Sequence, residues 1–238
     1  MLSLKSSSPA LALGACLLVL SLGGHAAVVK DQTTIDPAQP LTPLTAVGKV
    51  LSVPNEPDRE YQAAQSLTAG QSGFLYQVDV WVARQEDVSG DLQLRIGDVD
   101  FIEHSSSPLG SFSIQASNVS ASDFWAPALV SVNVRSANIY LHAGDSFVIS
   151  LSAPSSLLSS TIPSLTTYSW AANAQDVYAG GMRFIRNVSS DSTWIPGAED
   201  AAVTTWMETS PVPEPYVWQL ALTGLAGIGL FRRRRIKR

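Results

Sequence analysis

Few groups in this chain are equipped for covalent chemistry. Of its three histidines, His25 lies near the end of the apolar N-terminal stretch, which leaves His104 beside Ser105-Ser106-Ser107 and His142 ahead of a turn. The one cysteine, Cys16, belongs to the same N-terminal stretch. There is no Gly-x-Ser-x-Gly elbow, no His-Glu-x-x-His pair and no glycine loop built to cradle phosphate. A hydrolase would need His104 or His142 within hydrogen-bond reach of a serine and a carboxylate, and nothing in the spacing supplies that arrangement. The expectation is a protein that is not an enzyme and carries no cofactor.

Two constellations are suited to binding instead. Asp98-Val99-Asp100 with Glu103 places carboxylates two apart after a strand, a pattern that can share a hard cation such as calcium. The plainer reading is a solvated acidic loop. Late in the chain stand Tyr168, Trp170, Tyr178 and Trp194, followed by Trp206, whose flat rings could stack on sugar rings. The plainer reading there is a core end closed beside Gly180-Gly181. Asn118-Val119-Ser120 and Asn187-Val188-Ser189 fit a glycosylation acceptor pattern.

The elements that must position these groups are strands. Phe74, Tyr76, Val78, Val80 and Val82 alternate with Gln77, Asp79 and Trp81, the period of a strand with one buried face. Leu92, Leu94 and Ile96, then Phe112 and Ile114, then Val130, Val132 and Val134 repeat it. Phe147, Ile149 and Leu151 follow a tight turn at Ala143-Gly144-Asp145. Shorter runs at Tyr168 to Ala171, Met182 to Val188 and Val203 to Glu208 complete the set, and no sustained helical period occurs between them. The expected fold is all-β, an antiparallel β-sandwich over residues 61–208, because each short strand offers one apolar face to a shared core. Residues 27–60 hold Pro37, Pro40, Pro43, Pro54 and Pro57 and read as an extended leader, with Lys49 to Val53 as a short first strand.

Both ends read as addresses. At the N-terminus Lys5 is followed by an apolar stretch from Ala10 to Leu22 and by small residues before Ala26, so residues 1–26 read as a signal helix removed by signal peptidase. A competing lipobox at Leu13-Gly14-Ala15-Cys16 would cut the apolar segment in half. Cleavage after Ala26 leaves a mature chain without cysteine, so no disulfide supports it. Between Ala27 and Val212 eight Lys and Arg face nineteen Asp and Glu, a net charge of −11. Such a surface disfavours nucleic acid and anionic polysaccharide as simple electrostatic partners.

At the C-terminus, residues 212–238 place Val212-Pro213-Glu214-Pro215 before an uncharged run from Tyr216 to Phe231, then Arg232, Arg233, Arg234, Arg235, Ile236, Lys237 and Arg238. The run is slightly shorter than the ~20 residues of a usual transmembrane helix, and flanking arginines that snorkel to the headgroups compensate. The positive-inside bias keeps residues 232–238 in the cytoplasm and sends everything before Pro213 across the membrane. This order resembles the PEP-CTERM sorting signal. The resemblance implies recognition of Pro213, Glu214 and Pro215 by exosortase, a membrane protease-transpeptidase of exopolysaccharide-associated export, which removes the tail. Tyr216 stands where such signals often carry a small residue.

A second resemblance rests on Gln65-Ser66-Leu67-Thr68-Ala69-Gly70, Gly73-Phe74-Leu75-Tyr76-Gln77-Val78, His142-Ala143-Gly144-Asp145-Ser146-Phe147, Tyr168-Ser169-Trp170, Asp176-Val177-Tyr178-Ala179-Gly180-Gly181 and Ser192-Thr193-Trp194. In order and spacing these look like a jelly-roll-like β-sandwich of secreted bacterial proteins. That likeness implies a fold and an extracellular setting, and no reaction. The whole implies an inner-membrane-anchored precursor delivered to the cell surface or matrix, associated with exopolysaccharide or biofilm. A carbohydrate-binding module is the alternative.

Overall fold

Runs rich in valine, isoleucine, threonine and aromatics, broken by glycine, proline and aspartate, favour extended backbone, and the chain folds accordingly. The computed structural model describes residues 26–50, 59–85, 88–103, 106–121, 126–153, 166–173, 175–189 and 191–209. These form strands β1 (Ala27–Thr33), β2 (Leu41–Val50), β3 (Arg59–Thr68), β4 (Gly73–Arg84), β5 (Leu92–Gly97), β6 (Gly110–Ile114) and β7 (Ala128–Asn133). They continue as β8 (Tyr140–Leu141), β9 (Ser146–Ser152), β10 (Thr166–Asn173), β11 (Arg183–Asn187), β12 (Asp191–Pro196) and β13 (Val203–Thr209). Helix among the described residues is limited to one turn, α1 (Asp100–Glu103), and two 3-10 turns, Ala116–Asn118 and Arg135–Ala137. The fold is all-β.

One antiparallel hydrogen-bonded network runs in the order β1-β13-β4-β10-β2-β3-β9-β5-β6, with β7 and β8 also on β4, and β11 on β3 carrying β12. Strands β4 and β5 lie far apart in that order. Even so, Val78, Val80 and Val82 of β4 and Leu92, Leu94 and Ile96 of β5 belong to one buried cluster with Phe147, Ile149 and Leu151 of β9. The network therefore folds over itself, and its two halves close on a shared core in a sandwich-like arrangement. Strand β9 is buried on both faces: beyond Phe147 and Ile149, its Val148 packs in a second cluster with Ala64, Phe101 and Trp194. Val28–Thr209 make one compact unit.

Two expectations need correction. Residues 27–50 do not form a leader apart from the domain, since β1 neighbours β13 and β2 pairs with β10 from Thr166↔Lys49 to Asn173↔Leu41. Pro37, Pro40 and Pro43 are accommodated without breaking the ladder. Pro37 and Pro40 fall in the connection between β1 and β2, and Pro43 pairs with Ala171 at a register shift, where a missing N–H is tolerated. Pro54, Pro57 and residues 51–53 of the expected first strand lie outside the described residues.

The second correction concerns the faces of β4. Leu75, Val78, Val80 and Val82 are fully buried, whereas Phe74 and Tyr76 are only partly so. Pairing with β13 explains it: Trp206 stands opposite Gln77, yet the next residue, Met207, stands opposite Leu75. Tyr76 is thus the extra residue of a β-bulge, which resets the alternation and turns Leu75 inward and Phe74 outward.

Candidate functional site

The four aromatics expected to meet a glycan are core or near-core residues. Tyr168 and Trp170 on β10 are both 0% exposed. The Tyr168 hydroxyl donates to the Gly90 carbonyl, and the Trp170 indole N–H donates to the Ala202 carbonyl at 2.9 Å. Strand β10 runs between β2 and β4, so its inward side chains meet the packed core and no sugar can reach them. The Tyr178 ring packs against the same core, and its hydroxyl is engaged twice by Thr68, accepting from the backbone N–H at 3.0 Å and donating to the carbonyl at 3.2 Å. Trp194 is buried under Arg186, whose guanidinium carbon sits 4.6 Å from the ring centroid.

The acidic pattern also has a structural role. Asp98 Oδ1 accepts from the Phe101 N–H at 3.1 Å and from Ser106 Oγ at 3.2 Å, so it caps the turn that contains Asp100 and Glu103. Among the described residues no group of three or more His, Cys, Asp or Glu is placed to hold a metal ion. His142 is exposed in the β8–β9 turn, where its backbone N–H donates to Asp145 Oδ2 at 2.7 Å and Gly144 takes the positive φ of 94° that the turn requires. His104, Pro213, Glu214, Pro215, the apolar run 216–231 and Arg232 to Arg235 lie outside the described residues. Among the described residues no helix is long and apolar enough to cross a membrane.

A different set of aromatics faces outward. Side chains opposite one another across paired strands share a face. On the outer side of β4 this joins Leu129 to Trp81, Ser131 to Asp79 and Thr204, Asn133 to Gln77 and Trp206, and Tyr140 to Phe74 and Glu208. The bulge at Tyr76 is what keeps Phe74 in this row beside Gln77. Leu129 is 52% exposed and Tyr140 44%, while Trp81, Trp206 and Phe74 are half-buried. The Phe74 and Tyr140 rings meet edge to face at 5.2 Å, and the His142 ring continues the row 5.1 Å from Tyr140.

Charge in this strip is already engaged. Asp79 is only 5% exposed and accepts from the Gln77 amide at 2.8 Å and from the Trp206 indole N–H at 2.7 Å, which fixes the Trp206 ring. Arg135 lies over the Phe74 ring at 4.1 Å, pairs with Glu208 and donates to Asn138 Oδ1 at 2.7 Å. Sequence alternation already set Trp81 with Gln77 and Asp79 on the polar side of β4. The alignment with Trp206, Phe74 and Tyr140 depends on strand register, which no local pattern carries.

A buried polar knot pins the late loops. Asp200 is 1% exposed and accepts from Gln65 Nε2 at 3.0 Å and from the Val177 and Tyr178 N–H groups at 3.0 and 2.8 Å. Burial pushes its carboxyl above the usual aspartate value against the pull of those donors. Arg183 reaches Thr45 and Glu199 from a site where burial lowers its pKa. An apolar cavity of about 360 Å³ near this region is lined by Leu67, Val99, Ile102, Met182 and Phe184 among others. The knot ties the late loops to β2 and β3. Compared with known proteins, the chain matches no family model, and no curated protein matches it.

Proposed function

We propose that this chain is an exported, non-catalytic protein of the cell surface or extracellular matrix, sorted by a PEP-CTERM-type tail and associated with exopolysaccharide. The observation that carries the reading is the fixed order at residues 212–238: a stiff Pro-Glu-Pro, a membrane-length uncharged run and six basic residues among the last seven. An exosortase-type protease and signal peptidase are its processing partners in this reading. The globular part is a jelly-roll-like β-sandwich, a reading supported by an all-β antiparallel network closed on a shared core.

The sorting claim is tested by fractionating producing cells that carry either the native chain or the combined variant Pro213→Ala, Glu214→Ala, Pro215→Ala. The native chain is expected in the surface or extracellular fraction, and the variant in the inner membrane. Equal distribution of the two would refute a motif-dependent sorting signal and leave a plain membrane anchor.

A further inference from the structure

The outward strip on β4 carries a more specific proposal. We infer that the face formed by β7, β4, β13 and β8 binds a neutral polysaccharide chain built of pyranose rings. Such a ligand presents flat C–H faces and hydroxyl edges in alternation. The strip presents the matching sequence: the rings of Trp81, Trp206 and Tyr140, with Phe74 beneath Arg135 at one end, interleaved with Gln77 and with the exposed Ser131 and Asn133. From Trp81 to Phe74 along β4 the row measures about 20 Å, longer than a single sugar ring, so it suits an extended chain.

The charge pattern selects against other ligands. Asp79 keeps its negative charge, bonded only by the neutral Gln77 and Trp206 donors, and the positive charge of Arg135 is paired with Glu208, so neither offers a free cation to an anionic glycan. The net charge of −11 between Ala27 and Val212 adds repulsion of polyanions. Several rings are held before any ligand arrives, Trp206 by Asp79 and Phe74 by Arg135, so little side-chain order remains to be imposed on binding. The inference draws on the proposed surface role only for where the glycan is met.

The test uses the full chain with its tail uncleaved, purified in detergent, so that failure of binding and failure of sorting are separate results. Affinity electrophoresis and calorimetry are run against hydroxyethyl cellulose and laminarin as neutral glycans and alginate as the anionic one. At least one neutral glycan is expected to retard the native chain, with alginate inert. The double variant Trp81→Ala/Tyr140→Ala is expected to bind at least tenfold more weakly with an unchanged thermal transition. Ile195→Ala, a change at a 65% exposed residue of β12, is expected to leave binding intact. Should the double variant misfold, Tyr140→Ala alone, at the exposed end of the row, is expected to weaken binding at least threefold. Binding of alginate only, binding equal in native and variant chains, no binding to either neutral glycan, or a face covered by a second copy in light scattering would each overturn the proposal.

Discussion

At the scale of single residues, the side chains that matter most for stability are those whose polar atoms are satisfied deep in the fold. Asp200 presents one oxygen to Gln65 and the other to two backbone N–H groups, and Gln65 in turn accepts from the Ala201 N–H at 2.8 Å. Asp200→Asn must set an NH₂ group against a donor on one side, so it is expected to lower unfolding free energy by about 1–3 kcal/mol, read from denaturant midpoints. Tyr168 makes a pH-dependent prediction. Burial pushes its phenol up to about 12 from 10.0, outweighing the opposing pull of Arg84. A folded-state pKa raised above the unfolded one means that stability from this group is complete below pH 10 and is lost as pH rises through about 12. Chemical unfolding followed between pH 9 and 12 is expected to show that loss in the native chain and a reduced loss in Tyr168→Phe. An equal slope in both would contradict the assignment.

At the scale of elements, the prolines of residues 27–60 show how composition misleads. A run with five prolines reads as a leader, yet β2 supplies the neighbour on one edge of β10, and β1 supplies that of β13. A chain beginning at Arg59 is expected to lose cooperative unfolding and near-ultraviolet circular dichroism, because the edge of β10 that faces β2 would stand open to solvent or aggregation. Retention of a sharp transition would show that residues 27–50 are dispensable. Alternation in β5, β6 and β9 identified Leu92, Leu94, Ile96, Phe112, Ile114, Phe147, Ile149 and Leu151 as inward, and these are buried except Phe112, which is partly buried against the same core. In β4 the same rule failed at Phe74 and Tyr76, since a bulge is a property of two paired strands and leaves no mark on one. The aromatics Tyr168 and Trp170 misled for a related reason: aromatic type suits a glycan platform and a core equally, and only the neighbours β2 and β4 decide between them.

At the scale of the whole molecule, the proposed export rests on an acidic, cysteine-free domain flanked by two segments whose sequences read as addresses. With no cysteine between Ala27 and Val212, the all-β domain is held by its buried core and by no disulfide. Its net charge of −11 between Ala27 and Val212 leaves neutral glycans as the polymers that the proposed face can meet without repulsion. The measurement that tests the central claim most directly is the intact mass of the chain recovered from the surface of producing cells. The account predicts a product that begins after Ala26 and has lost the apolar run and Arg232 to Arg238. A surface product that still carries Arg238 would contradict it.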